Sequence, residues 1–272
     1  MTILLSTILM GSIGLIFSIF LVIANKKFHV EVDERISKIE EALPGANCGG
    51  CGFASCSNYA EAIVQKGAKL NMCVVADSDT LTRLGEIMGV KVEKGEKKIA
   101  VVMCRGDRES AKFPGIYKGI KDCAAAIYSS DVAKRCKYGC VGLGSCVAAC
   151  PFDAIHISEH GIPIVNIEKC TGCGNCVEAC PRNLIELHPI SQKVHVYCKS
   201  KDPGAIYKTV CTNACIGCGL CVKSATADNN PDAIKIVDNL AVVNYENYQL
   251  KPQYIEKCPT GAINIEQNVI LK

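Results

Sequence analysis

Residues 136–181 read Cys136-Lys-Tyr-Gly-Cys140-Val-Gly-Leu-Gly-Ser-Cys146-Val-Ala-Ala-Cys150-Pro151, then a short insert, then Cys170-Thr-Gly-Cys173-Gly-Asn-Cys176-Val-Glu-Ala-Cys180-Pro181. In the second run, three closely spaced thiolates followed by a fourth before proline have the spacing that serves two cubane iron–sulfur clusters, the fourth thiolate reaching across to the other one. Each cubane takes four external sulfurs, one per iron. The first run departs from this pattern: Leu143 stands where a middle cysteine is expected, and Cys136 lies upstream as a substitute. The spacing therefore predicts one cluster on Cys136, Cys140, Cys146 and Cys180, and another on Cys150, Cys170, Cys173 and Cys176.

Two other chemistries use closely spaced cysteines. Zinc takes CxxC pairs in tetrahedral sites, but zinc knuckles do not usually interleave eight cysteines with two Cys-Pro ends. A disulfide framework needs an oxidising compartment, whereas unmodified thiols at this density survive as ligands only in a reducing one. The 272-residue chain holds 20 cysteines, no Trp and 6% aromatic residues, the composition of small domains held by cofactors rather than by large aromatic cores. A net charge of +3, with the basic residues dispersed, gives no footprint for nucleic acid.

From Thr2 to Asn25 no residue is charged, and Ile3 to Ala24 is dominated by Ile, Leu, Val and Phe. At 1.5 Å per residue, about 20 such residues span a bilayer core of about 30 Å. A signal peptide is the alternative, but there is no basic start and no small-x-small cleavage site after the run. Lys26 and Lys27 follow instead, which predicts a single-pass anchor with the rest of the chain in the cytoplasm. Phe28 to Leu43 has helical spacing (Val32, Ile36, Ile39, Leu43) and reads as a stalk. Next comes Asn47-Cys48-Gly-Gly-Cys51-Gly-Phe-Ala-Ser-Cys56, a helix over Ser57–Lys66 stopped by Gly67, and Cys73. Cys48, Cys51, Cys56 and Cys73 make four ligands for a further cluster, with zinc the alternative occupant. Asp77 to Val92 reads as a helix and Glu93 to Lys98 as a charged linker.

The order of apolar anchor, basic pair, amphipathic stalk, CGGCGFASC segment and ferredoxin-like module resembles the B subunit of the Rnf membrane complex. That family passes electrons between reduced ferredoxin and NAD while moving sodium ions or protons. The resemblance covers nearly the whole chain, and its most specific parts are Asn47–Cys56 and Cys170–Pro181. It implies ferredoxin, the other subunits of such a complex and membrane lipid as partners. Shorter members of the family carry a plain pair of ferredoxin motifs, so Cys104, Cys123, Cys198 and Cys211 are similar to cysteines of a longer form.

An internal repeat extends the pattern. Cys136-x3-Cys140-Val-Gly-Leu-Gly-Ser-Cys146 aligns with Cys211-x3-Cys215-Ile-Gly-Cys218-Gly-Leu-Cys221, and the strand-like Ile99–Cys104 with Gln192–Cys198. Pro231-Asp-Ala-Ile234 matches Pro151-Phe-Asp-Ala-Ile155, and a turn at Asp238-Asn239 follows. No cysteine precedes Pro231, and no CxxCxxC precedes Cys258-Pro259, so the second copy has ligands for one cluster: Cys215, Cys218, Cys221 and Cys258. Four clusters leave Cys104, Cys123, Cys198 and Cys211 over. The count leaves open a fifth site, reserve ligands, or plain buried thiols.

The expected fold is α+β: a transmembrane anchor over 1–27, a stalk and small helical 4Fe-4S domain over 28–92, a two-cluster ferredoxin-like module over 93–190, and a degenerate one-cluster module over 191–272. No GxGxxG or GxxxxGK[ST] is present, and the five histidines show no paired metal spacing. Nucleotide and flavin sites are thus expected on partners, and no side chain need act as acid, base or nucleophile. The reading is a membrane-anchored relay of at least four, or five, 4Fe-4S clusters within an ion-translocating ferredoxin:NAD oxidoreductase. A polyferredoxin component of another membrane dehydrogenase or hydrogenase is the nearest alternative. A tethered zinc-binding interaction protein is the alternative of another class.

Overall fold

The computed structural model describes residues 2–28, 33–92, 95–129, 134–246 and 249–265, so parts of the expected stalk and of the linker after Val92 lie outside the described residues. Helix α1 (Thr2–Phe28) ends on Lys26 and Lys27. Its large apolar side chains from Leu9 to Ile23 are 47–77% exposed, so nothing among the described residues covers them. It is long and apolar enough to cross a membrane.

The segment read as a stalk becomes, from Glu34, the first helix of a small helical domain. Helices α2 (Glu34–Ala42), α3 (Cys56–Lys66) and α4 (Ser78–Met88) start at Asp33, Ser55 and Asp77, whose side chains accept from the N–H groups of Arg35, Asn58 and Thr80. Such caps satisfy donors that the first helical turn leaves free. The last two helices end on left-handed Gly67 and Gly89. Ile36, Ile39, Tyr59, Ile63, Leu81 and Leu84 form its core, and the Tyr59 hydroxyl donates to the Lys69 carbonyl at 2.6 Å, holding the segment that leads to Cys73.

Two modules follow, each built the same way. The first contains β1 (Lys98–Val102), α5 (Cys123–Tyr128), α6 (Ser145–Ala148), β2 (Ile155–Ile157), β3 (Pro163–Val165), α7 (Asn175–Glu178) and β4 (Ile185–Pro189). The second contains β5 (Val194–Val196), α8 (Tyr207–Val210), α9 (Leu220–Ala227), β6 (Ile234–Val237), β7 (Leu240–Val243), α10 (Gln253–Lys257) and β8 (Ile263–Ile265). In each, the first and last strands pair antiparallel, β1 with β4 and β5 with β8, and the middle two form a hairpin. Asp238 and Asn239 both take positive φ in the β6–β7 turn, the geometry a two-residue hairpin needs. Each core consists of the inner faces of these short strands and the cysteines themselves.

At the junction of the modules His195, fully buried, donates to the Gln192 carbonyl at 3.0 Å and stacks near His188 and Tyr245. Burial, then the neighbouring His188, lowers its pKa to about 4, so the imidazole is neutral at physiological pH. Tyr245 closes the junction by accepting the Val196 N–H at 3.0 Å.

Ile39 is fully buried, so Ile39→Ala should lower the stability of the small domain by about 2–5 kcal/mol. Hydrogen exchange in α2 and α3 would show it. Leu21→Ala on α1, at a position 64% exposed, should leave that exchange unchanged.

Candidate metal centres

The cysteine loops repeat one backbone device. Gly142 and Gly144, Gly172 and Gly174, and Gly217 and Gly219 all have positive φ, and α6, α7 and α9 each begin just after the second of the pair. At Gly172 a Cβ would strike the Lys98 carbonyl oxygen, and at Gly142 that of Gly161, in both cases closer than real Cβ contacts. The turn therefore needs glycine both for its handedness and for the approach of a neighbouring backbone.

Four hollows of similar size, each with 330 to 400 Å³ of space between atoms, are lined by four cysteines apiece. Cys48, Cys51, Cys56 and Cys73 line the first, in the small helical domain, where the Asn47 side chain accepts the Cys56 N–H at 2.8 Å. Cys215, Cys218, Cys221 and Cys258 line another in the second module. Both are groups expected from spacing.

The hollow in the first module differs from the expectation. Cys140, Cys146 and Cys180 line it with Cys123, and Cys136 is not among its residues. The reason is a clamp. Asp122 caps α5 by accepting the Ala125 N–H at 2.7 Å, the Ser145 hydroxyl donates to the same carboxylate at 2.9 Å, and the Cys123 N–H donates to that hydroxyl at 2.8 Å. This chain of bonds pins the start of α5 to the start of α6, beside Cys146, and Cys123 occupies the place that Leu143 leaves without a sulfur. Cys136 is instead in a hollow with Cys104, Cys198 and Cys211.

Cys150, Cys170, Cys173 and Cys176 form the remaining group. The Cys176 thiol is pushed up to about 12, by burial first and then by the neighbouring Cys170, Cys173, Cys146 and Cys150. The sulfurs also receive backbone hydrogen bonds: Ala100 N–H to Cys170, Ala154 to Cys150, Leu184 to Cys180 and Ala241 to Cys215, all at 3.3–3.4 Å. Donors aimed at sulfur favour thiolate over thiol and tune a cluster's potential. Burial works the other way, raising Cys140 to about 12 and Cys146 and Cys221 to about 11. These cysteines ionise when they bind metal, and binding would release protons.

The donor sets fit cubane clusters. Among the described residues no three His, Cys, Asp or Glu gather as a single metal ion requires, whereas a cubane spreads its four sulfurs over four iron corners. The chain is therefore an iron–sulfur electron carrier built from a small cluster domain and tandem ferredoxin-like modules. Comparison with known proteins agrees. A family described as a putative Fe-S cluster matches residues 43–75, and one described as a 4Fe-4S dicluster domain matches 121–184 and 169–224. The chain is 38% identical over 260 residues to the B subunit of the ion-translocating oxidoreductase complex of Methanosarcina acetivorans, covering 96% of this chain and 97% of that one. It is 43% identical over 256 residues to the B subunit of the Na(+)-translocating ferredoxin:NAD(+) oxidoreductase complex of Acetobacterium woodii, covering 94% and 76%. With the proton-translocating counterpart of Clostridium ljungdahlii it shares 40% over 265 residues, covering 96% and 92%. The chain belongs to the family of Rnf complex B subunits.

Cys150→Ala should abolish the EPR signal of the cluster on Cys170, Cys173 and Cys176 while sparing that on Cys140 and Cys146; loss of the second signal alone would reverse the pairing. Gly172→Ala, strained by about 1–3 kcal/mol, should lose the same signal first on warming.

Proposed function

We propose that this chain is the ferredoxin-facing arm of an ion-translocating ferredoxin:NAD oxidoreductase complex, taking electrons from reduced ferredoxin and handing them to membrane-bound partner subunits. Bound to the cysteine sets, 4Fe-4S clusters supply one-electron transfer at potentials set by their surroundings. Residues 1–27 anchor the arm as a single pass in membrane lipid. Lys26 and Lys27 mark the cytoplasmic side, and 28–92, 93–190 and 191–272 all lie there. The ligand sets are Cys48, Cys51, Cys56 and Cys73; Cys150, Cys170, Cys173 and Cys176; Cys123, Cys140, Cys146 and Cys180; and Cys215, Cys218, Cys221 and Cys258. Nucleotide chemistry belongs to other subunits.

The observation that carries this reading is that successive sets adjoin. Gly50, between Cys48 and Cys51, lies so close to Cys173 that a Cβ there would be 3.0 Å from its Cα. Cys73 and Cys173 line the same groove, and the charge of Cys48 acts on Cys173. Cys176 in turn feels Cys146 of the next set. Such close approach of one cysteine loop to the next supports a relay. The names of the relatives supply the donor, the acceptor and the coupled ion movement.

Removing residues 1–27 should leave a soluble brown protein that low-potential ferredoxin still reduces, while membranes carrying only that form lose ferredoxin-dependent NAD reduction. Failure of ferredoxin to reduce the soluble form would overturn the reading. Gly50→Val should keep all clusters, by iron count, yet slow electron exchange between the Cys48 and Cys170 sets in rapid-freeze EPR, because the side chain forces the two loops apart.

A further inference from the structure

Cys104, Cys136, Cys198 and Cys211 remain, and they line one hollow together with Lys134 and Gly139. Two come from each module, at matching positions. Cys104 stands two residues after β1 and Cys198 two residues after β5. The N–H groups just before them, of Met103 and Tyr197, donate to the carbonyls of Leu184 and Ala262, the residues that lead into β4 and β8, at 2.7 Å in both modules. Cys136 and Cys211 match likewise, each four residues before the cysteine that opens a glycine turn, Cys140 and Cys215. A local pairing draws the two halves together: Ala111 bridges Cys211, Lys112 N–H donates to Val210 at 3.0 Å and Thr212 N–H to Ser110 at 2.9 Å.

We propose that Cys104, Cys136, Cys198 and Cys211 hold a fifth 4Fe-4S cluster between the modules, making the electrical link from the first module to the second. The proposal rests on the relay reading above and adds a site to it. Four cysteines in plain thiol form would leave the surroundings unexplained. Lys134 is 6% exposed, and among the described residues it forms no ion pair with a carboxylate. Its ammonium donates to the carbonyls of Gly106 and Cys140. A Cβ on Gly106 would be 3.3 Å from both Cys211 Sγ and Lys134 Nζ, and one on Gly139 3.3 Å from both Cys136 Sγ and Lys134 Nζ, so the ammonium sits among these sulfurs. Arg182 donates to the Cys136 and Gly139 carbonyls. Buried cations need countercharge, and four thiolates around a cubane carry it.

The same hollow reaches both neighbours. Cys140 N–H donates to Cys104 Sγ at 3.4 Å, and the Cys215 backbone, at the matching place in the second module, lies close enough to Cys198 to favour its thiolate, against the larger effect of burial. The set on Cys140 thus touches this one through a backbone hydrogen bond, and the set on Cys215 adjoins it at the matching place. The added site carries one electron at a time: the core goes from 2+ to 1+ on reduction by a neighbouring cluster and back on oxidation, with four thiolates bound throughout and no proton moved.

The full-length chain, in detergent and reconstituted anaerobically, should be assayed for iron, acid-labile sulfide and zinc beside the double variant Cys104→Ser/Cys211→Ser. The expected result is about twenty irons and twenty sulfides per wild-type chain and about sixteen of each in the variant, with the second-module EPR signal reduced more slowly by dithionite-reduced ferredoxin. About sixteen irons in the wild type, or equal counts in both proteins, would overturn this site and leave the relay reading standing. Zinc in place of all iron would overturn both. If the double variant loses other clusters as well, Lys134→Met decides. With the wild-type iron count it should shift one EPR signal to lower potential, since a cation favours the more negative reduced state, and potentials all unchanged would overturn the proposal.

Discussion

Everything in the two modules depends on a backbone that turns sharply enough to present three sulfurs inward within seven residues. Left-handed glycines do this, and only because a carbonyl of another strand or hairpin turn fills the space where a Cβ would stand: Lys98 against Gly172, Gly161 against Gly142, Asn239 against Gly217. The turn and the strand pairing are therefore one structure. β1 cannot move along β4 without opening the Cys170 loop, and the hairpin β6–β7 holds the Cys215 loop by the same contact. Small sheets with so little apolar area are marginal alone. Here the cysteines belong to the hydrophobic cores, so cofactor and core are the same object.

Where the ligands lie close together in the chain, the sequence was readable. The Cys170–Cys176 run, the Cys48–Cys73 group and the Cys215–Cys221 run each declare themselves by spacing, and the fold keeps the members of each close. So were the helix end at Gly67 and the turn at Asp238-Asn239, because capping and hairpin geometry are local; the helix read as running to Val92 stops instead at left-handed Gly89. That Cys123, and not Cys136, lines the hollow with Cys140, Cys146 and Cys180 was not readable. It depends on hydrogen bonds that join Asp122 and Cys123 to Ser145, across more than 20 residues, and spacing counts only neighbours. The stalk was half readable: its helical period is real, but periodicity does not say that Ile36 and Ile39 pack into the cluster domain and not along a free helix.

A retrospective signal did exist for the cysteines left over. The repeat already aligned Cys136 with Cys211 and Cys104 with Cys198, so the pairs that the fold unites were the pairs the alignment equated. Equivalent positions of the two modules meet at their junction, which is sealed by His188, His195 and Tyr245 on one side. Cys123 has no equivalent in the second copy. It serves only its own module, and the second copy instead carries Cys218 within the run.

The placing of Cys104 beside Cys211 also orders the making of the protein. A chain emerging from the ribosome folds roughly domain by domain, N-terminal parts first. The Cys48 group, and then the two groups of the first module, are complete once Cys180 and its neighbours have emerged. Cys104 and Cys136 are ready at the same time but face an open wall, because Cys198 and Cys211 are still unmade and the Lys134 ammonium has only half its ring of sulfurs. Until the second module docks, the nascent chain carries two thiols in a hollow that is open on the side where Cys198 and Cys211 will stand.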